Sequence, residues 1–430
     1  MKYLLPVLFG FSFFVSCKSN QTPIVSDLFV DSLINHYTEP QAIKTNQTDL
    51  LFWSARISAN TPDYSNTSKY AAALVTRFHL LGDIHDLKMS DSLLISLSAS
   101  YQEKEVGPLF TLISHAILQH RFQMADSLLT LTKSMGLKKY ASAASSFDVD
   151  FELGRILEAN AALKNMQLDN DFGYQFRKSK MMHFRGELDS SLAAMEKAVD
   201  NAGRDQELRL AALSNLGDLY MHAGKMDRAY RCFENCLKEN AADLHSLMSI
   251  GWIALVKDKQ DSLAEKIFHF VITKTASPEP LFKLIAVAEQ RSDSLLQLKY
   301  AKAFEAKVSN PLYGNMYNKY LIQLYTGILQ QPSKAVAIAF EELKNRNTPQ
   351  TNAWHVWSLF SNHQDAEAYR VYQNNVAGKP LEGLELYWMG KLMQGLNKGY
   401  NAKQYFQEAH KNEFDLNPSL AKDLATLLKE

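Results

Sequence analysis

Apolar side chains recur along this chain at three- and four-residue intervals, the period of an amphipathic helix. The clearest stretch begins near Leu210. Leu213, Leu216 and Tyr220 fall on one face of a first helix. Gly224 marks a turn, where a positive φ is cheap for glycine. Ala229, Phe233 and Cys236 then line a second helix. Gly217 and Ala229 are small where the two helices must cross, because a larger side chain would push their axes apart. Phe233 is placed to fill the gap between them. The spacing predicts a helical hairpin.

The same arrangement returns with a period of about 34 residues. One copy carries Leu247, Ile250, Gly251, Ala264 and Phe268; another carries Met389, Gly390, Met393, Ala402 and Phe406. Weaker copies occupy Leu74–Leu94, Leu109–Leu129, Gly154–Met166, Ser179–Ala198 and Trp357–Tyr372. Residues 280–346 are degenerate, with two helix pairs and altered turns expected. The pattern resembles the tetratricopeptide repeat (TPR). That resemblance implies an all-α, right-handed superhelical solenoid of antiparallel helix pairs, about ten of them over residues 46–430. Phe52, Trp53, Arg56, Thr61 and Pro62, and again Arg346, Thr348, Pro349, Thr351 and Trp357, resemble segments of a group of bacterial TPR proteins. Asn417 and Pro418 suit the start of a closing helix with a wet face.

Composition agrees. Gly (18) and Pro (12) are too few for a chain built on tight turns. Apolar residues make up 46%, which excludes a disordered chain. Lys+Arg and Asp+Glu are both 46, so no net field draws the molecule to nucleic acid, and none is expected as a partner.

The first residues read as an address. Lys2 precedes an apolar stretch, Leu4–Val15, that is too short to span a bilayer. Phe14-Val15-Ser16-Cys17 then resembles a bacterial lipoprotein lipobox, with Phe14 where a Leu is usual. The resemblance implies a signal peptide over 1–16, acylation of Cys17, and an exported protein anchored by lipid, with an outer-membrane position facing the periplasm expected. Residues 17–45 read as a tether from lipid to body.

Catalytic motifs are missing: no Gly-x-Gly-x-x-Gly, Walker loop, Gly-x-Ser-x-Gly or His-Glu-x-x-His occurs. Ser419 and Lys422 form an isolated Ser-x-x-Lys. Asp169, Asp171 and Gly173 imitate a calcium loop, but its last ligand position is Lys180. Cys232 and Cys236 lie one helical turn apart, a poor geometry for a disulfide. No catalytic residue, cofactor or metal is expected.

The resemblance places function on the concave wall. Its groove positions carry over as Phe176, Lys180, His183 and Phe184 in the fourth repeat, Asp218 and His222 in the fifth, and His245, Met248 and Trp252 in the sixth. Trp357 and Phe360 follow in the ninth, Tyr387 and Lys391 in the tenth. The implied function is a non-catalytic, lipid-anchored scaffold that holds a protein or peptide in this groove. The alternative is a lipid-anchored binder of a solute or glycan through the same aromatics. An open groove would favour the first and one closed pocket the second.

Overall fold

The structure is a computed structural model that describes residues 22–57 and 63–429. The stretch read as a signal peptide, Cys17, Thr61 and Pro62 lie outside the described residues. Within them the chain is all-α and contains no strand. Two helices come first, α1 (Asp27–Asn35) and α2 (Gln41–Ser54). Ten hairpins follow. The first five are α3 (Tyr64–Leu81) with α4 (Ile84–Ser100), α5 (Val106–Leu118) with α6 (Phe122–Ser134), α7 (Lys139–Glu152) with α8 (Ile156–Asn165), α9 (Phe172–Phe184) with α10 (Leu188–Asn201), and α11 (Gln206–His222) with α12 (Met226–Glu239). The second five are α13 (Leu244–Val256) with α14 (Asp261–Ile272), α15 (Glu279–Gln290) with α16 (Ser294–Val308), α17 (Asn318–Thr326) with α18 (Pro332–Asn345), α19 (Pro349–Ser361) with α20 (Asp365–Asn375), and α21 (Gly383–Gly395) with α22 (Gly399–His410). A final helix, α23 (Pro418–Leu427), closes the chain.

Three hairpins show why the helices pair as they do. A methyl group added at Gly217 would sit 2.6 Å from the Phe233 ring. The same addition at Gly251 would meet Phe268 at 2.7 Å, and at Gly390 it would run into the Phe406 ring. The glycine of each first helix therefore receives the phenylalanine of its second. Ala229, Ala264 and Ala402, the other small partners at these crossings, are buried. Leucine at Gly217 overpacks this contact and is expected to destabilise by about 1–3 kcal/mol. Phe233→Leu in the same chain should recover part of that loss in chemical denaturation. Equal stability of Gly217→Leu and the parent would show that the crossing is looser than described.

The degenerate stretch keeps its helix pairs but changes their filling. An irregular segment with a short 3-10 helix, Pro311–Tyr313, separates α16 from α17. Ala288, Ala301, Ala335 and Ala339 stay buried, and Tyr317 and Tyr320 add aromatic volume by packing edge-on to Phe304 and Phe282.

The segment read as a tether is corrected over its described part. Residues 22–45 hold α1 and the start of α2. Val25 and Val30 are buried in the core cluster that also holds Tyr230 and Val271. The Val25 N–H donates to Asp258 Oδ2 at 2.8 Å, and Lys266 pairs with Asp31 at 2.7 Å. A helix of 9 residues offers too short an apolar stripe for its period to stand out in the sequence.

Candidate functional site: a cavity inside a self-contacting array

The chain does not leave its inner wall open. Several turns that end the first helices of the early hairpins touch residues far along the sequence. At the α3–α4 turn the Leu81 carbonyl accepts from the Ala276 N–H at 2.7 Å. At the α5–α6 turn the His120 carbonyl accepts from Asn345 Nδ2 at 2.8 Å. At the α7–α8 turn Gly154 lies against Thr348, and nearby Glu152 accepts from Arg346 at 3.0 Å. At the α11–α12 turn the His222 ring meets Asp415 at 2.7 Å, and its carbonyl accepts from Asn412 at 3.1 Å. The α9–α10 turn differs. Nothing lies within 4 Å of where a side chain on Gly186 would begin.

Opposite that turn lies a cavity of about 1430 Å³. Its first-half wall includes His120, Glu152, Lys180, His183, Phe184 and His222. Its second-half wall includes Lys319, Tyr320, Arg346, Trp354, Glu382 and Tyr405. Four residues placed in the groove from sequence therefore line it: Lys180, His183, Phe184 and His222.

The charges of the wall are organised in pairs. Glu152 accepts from Lys180 at 2.7 Å as well as from Arg346. Burial opposes the Glu152 charge, but these two cations hold its carboxyl below the usual range. Lys180 also lies 4.5 Å from the Phe151 ring centre. Lys319 sits 2.9 Å from Glu385 and 3.3 Å from Glu382. Burial disfavours the ammonium there, yet the two carboxylates outweigh it and raise the Lys319 pKa. Burial keeps His120 and His183 below the ordinary histidine range.

His222 behaves the other way. Burial lowers its pKa, but the hydrogen bond and charge of Asp415 overcome this, with Glu382 and Asp218 adding, and the net value is pushed up to about 9. His183, whose ring is 5.0 Å away, is the opposing neighbour. A raised pKa means the His222–Asp415 contact stabilises fully below the unfolded histidine value of about 6.5. That contribution is lost as pH rises through about 9. The segment Asn412–Asp415 should therefore become easier to cleave by a protease above that pH, and His222→Gln should remove the dependence. A cleavage rate that is flat from neutral to alkaline pH in the parent would contradict the contact.

The remaining groove residues are engaged within the chain. Trp252 is 7% exposed, and its indole N–H donates to the Phe414 carbonyl at 2.9 Å. Asp218 accepts from His245 at 2.9 Å, joining neighbouring hairpins. Met248 is buried, and Phe176 is half-buried beside Phe172. Trp357 donates to Thr326 at 3.0 Å and stacks on Trp388 at 5.6 Å. Phe360 packs on Trp357 and against Gly395. Tyr387 donates to Asp423 of α23 at 2.6 Å, and Lys391 reaches the same carboxylate at 3.3 Å. Later segments of the chain thus cover Trp252, Trp357, Tyr387 and Lys391, while His245 stays exposed and Phe176 and Asp218 half-buried. The sequence reading missed Lys319, Tyr320, Trp354 and Glu382 as wall residues. Arg346, Thr348 and Pro349 stand out in the sequence only through a resemblance to segments of other repeat proteins. They form the turn that enters α19, where Thr348 and Thr351 make a capping box.

No protein-family model matches the chain. No curated protein matches it. Among solved structures, the chain is similar to the crystal structure of a tetratricopeptide repeat protein from Parabacteroides merdae, with 13% identity and a TM-score of 0.35 over 68% of this chain and 99% of that one. No helix among the described residues is long and apolar enough to cross a membrane.

Proposed function

We propose that this chain is a non-catalytic binding protein, exported and held at a membrane by lipid on Cys17, that receives a soluble ligand in its central cavity. One observation carries the choice of cavity over groove. Key positions that would grip a protein along the concave wall are occupied from within, Trp252 by Phe414 and His222 by Asp415. What stays open is a volume of about 1430 Å³, above the roughly 300–1,000 Å³ that suits a drug-sized molecule, so a short oligomer fits it better than a single small metabolite. Aromatic, amide and charged side chains converge there, a lining that suits holding a polar ligand.

Gln404 and Asn401 are exposed on the cavity wall, so tryptophan at either fills space without touching the core. Native mass spectrometry of protein drawn from its own membranes should show a bound molecule, and Gln404→Trp should lose it at an unchanged melting temperature. A ligand retained by Gln404→Trp would refute the cavity. The anchor is tested separately. Cys17→Ser should abolish fatty-acid labelling, and labelling that survives would remove the lipid from the proposal.

A further inference from the structure

Two cations on the cavity wall have no carboxylate partner among the described residues. Lys180 and Arg346 share Glu152, and Arg346 also binds Glu342. Lys319 has Glu382 and Glu385, Lys411 has Glu408, and His222 has Asp415. Among the described residues Arg185 and Lys379, both exposed, make no ion pair. They come from opposite halves of the molecule. Arg185 follows α9 beside the open Gly186 turn, and Lys379 sits in the loop between α20 and α21. The cavity wall thus carries one exposed, unpaired cation from each half.

We propose that the cavity ligand is anionic, a carboxylate-bearing oligomer whose charges bridge Arg185 and Lys379 across the opening. This rests on the cavity being the binding site. The physical argument is selective. Cations already paired gain little from a further anion, because they must give up a partner to take it. Arg185 and Lys379 give up only water, and a concave wall strengthens their field over that at a flat surface. Arg185 is the stronger contributor, since a guanidinium takes a carboxylate in a two-pronged bond while an ammonium acts as a point charge. Amides of Gln350, Asn401 and Gln404 on the same wall supply neutral hydrogen bonds to the rest of the ligand.

The test is calorimetry on the full mature chain with three probes of equal length: an oligogalacturonate, an oligoglutamate and a neutral oligogalactose. An acidic probe should bind and the neutral one should not, and which acidic probe binds tells glycan from peptide. Raising the salt should weaken binding, and Arg185→Ala with Lys379→Ala should weaken it about tenfold, about 1.4 kcal/mol, at an unchanged melting temperature. Neutral and acidic probes binding equally, or no acidic probe binding at all, would overturn the anionic ligand. If the neutral probe binds and Gln404→Trp abolishes it, the cavity survives and the charge preference falls. An acidic probe bound equally well by Gln404→Trp would sink both.

Discussion

Lys319→Met is expected to cost about 3–5 kcal/mol of stability, among the largest effects of any single change in this molecule. Glu385 has no exposed surface. Its Oε1 accepts from the Lys319 ammonium at 2.9 Å and from the Trp354 indole N–H at 2.7 Å. Remove the ammonium and a buried carboxylate remains with one neutral donor. The cost is that of an uncompensated charge. Glu385→Gln added to Lys319→Met should restore most of the loss, since glutamine keeps an acceptor for Trp354 and carries no charge. Denaturant titration of the three chains measures this. A single variant within about 1 kcal/mol of the parent would mean that water reaches Glu385 and that the pair is not sealed.

This pair also marks where the sequence stopped being legible. The hairpins could be read because each is written locally. Gly217 and Phe233, or Gly390 and Phe406, lie within one repeat, and their sizes must match for two helices to approach. Contacts between distant repeats leave no such trace. Arg346 reaches Glu152 and Trp252 reaches Phe414 across 194 and 162 positions, and nothing in the spacing of either residue announces the other. A one-dimensional repeat predicts that each unit touches only its neighbours. By that rule the concave wall stays open, and the groove positions looked accessible. The departures from the repeat were the clue in hindsight. Residues 280–346 carry alanine where the clear copies have glycine, and there Tyr313, Tyr317 and Tyr320 gather into an aromatic cluster. Past Gly378 the loop before α21 brings Lys379 and Glu382 to the cavity. Docking of α1 was hidden for another reason, because Val25 and Val30 complete a core whose other members run from Leu192 in α10 to Val287 in α15.

Trp252→Ala is the second large effect, expected at about 3–5 kcal/mol, and it separates the self-contacting array from the open groove. The ring is packed in the core cluster with Ile253 and Leu284, and the Lys283 ammonium lies 3.9 Å from its centre. Loss of the indole also leaves the Phe414 carbonyl without its donor. Trp252→Phe divides these contributions. It keeps most of the apolar volume and removes only the N–H, so it should cost about 1 kcal/mol in global stability. Its local effect should be larger in proportion. Asn412–Asp415 is held on α11 and α13 by few bonds, those of His222, Asn412 and Trp252. Losing one of them should raise protease cleavage at this segment while the rest of the array stays folded. An accessible groove tryptophan predicts the opposite pair of results, with Trp252→Ala leaving the melting temperature unchanged and Trp252→Phe leaving cleavage unchanged. Because the ring and its N–H are engaged by different parts of the chain, the two variants together decide whether the inner wall is closed by its own C-terminal segment.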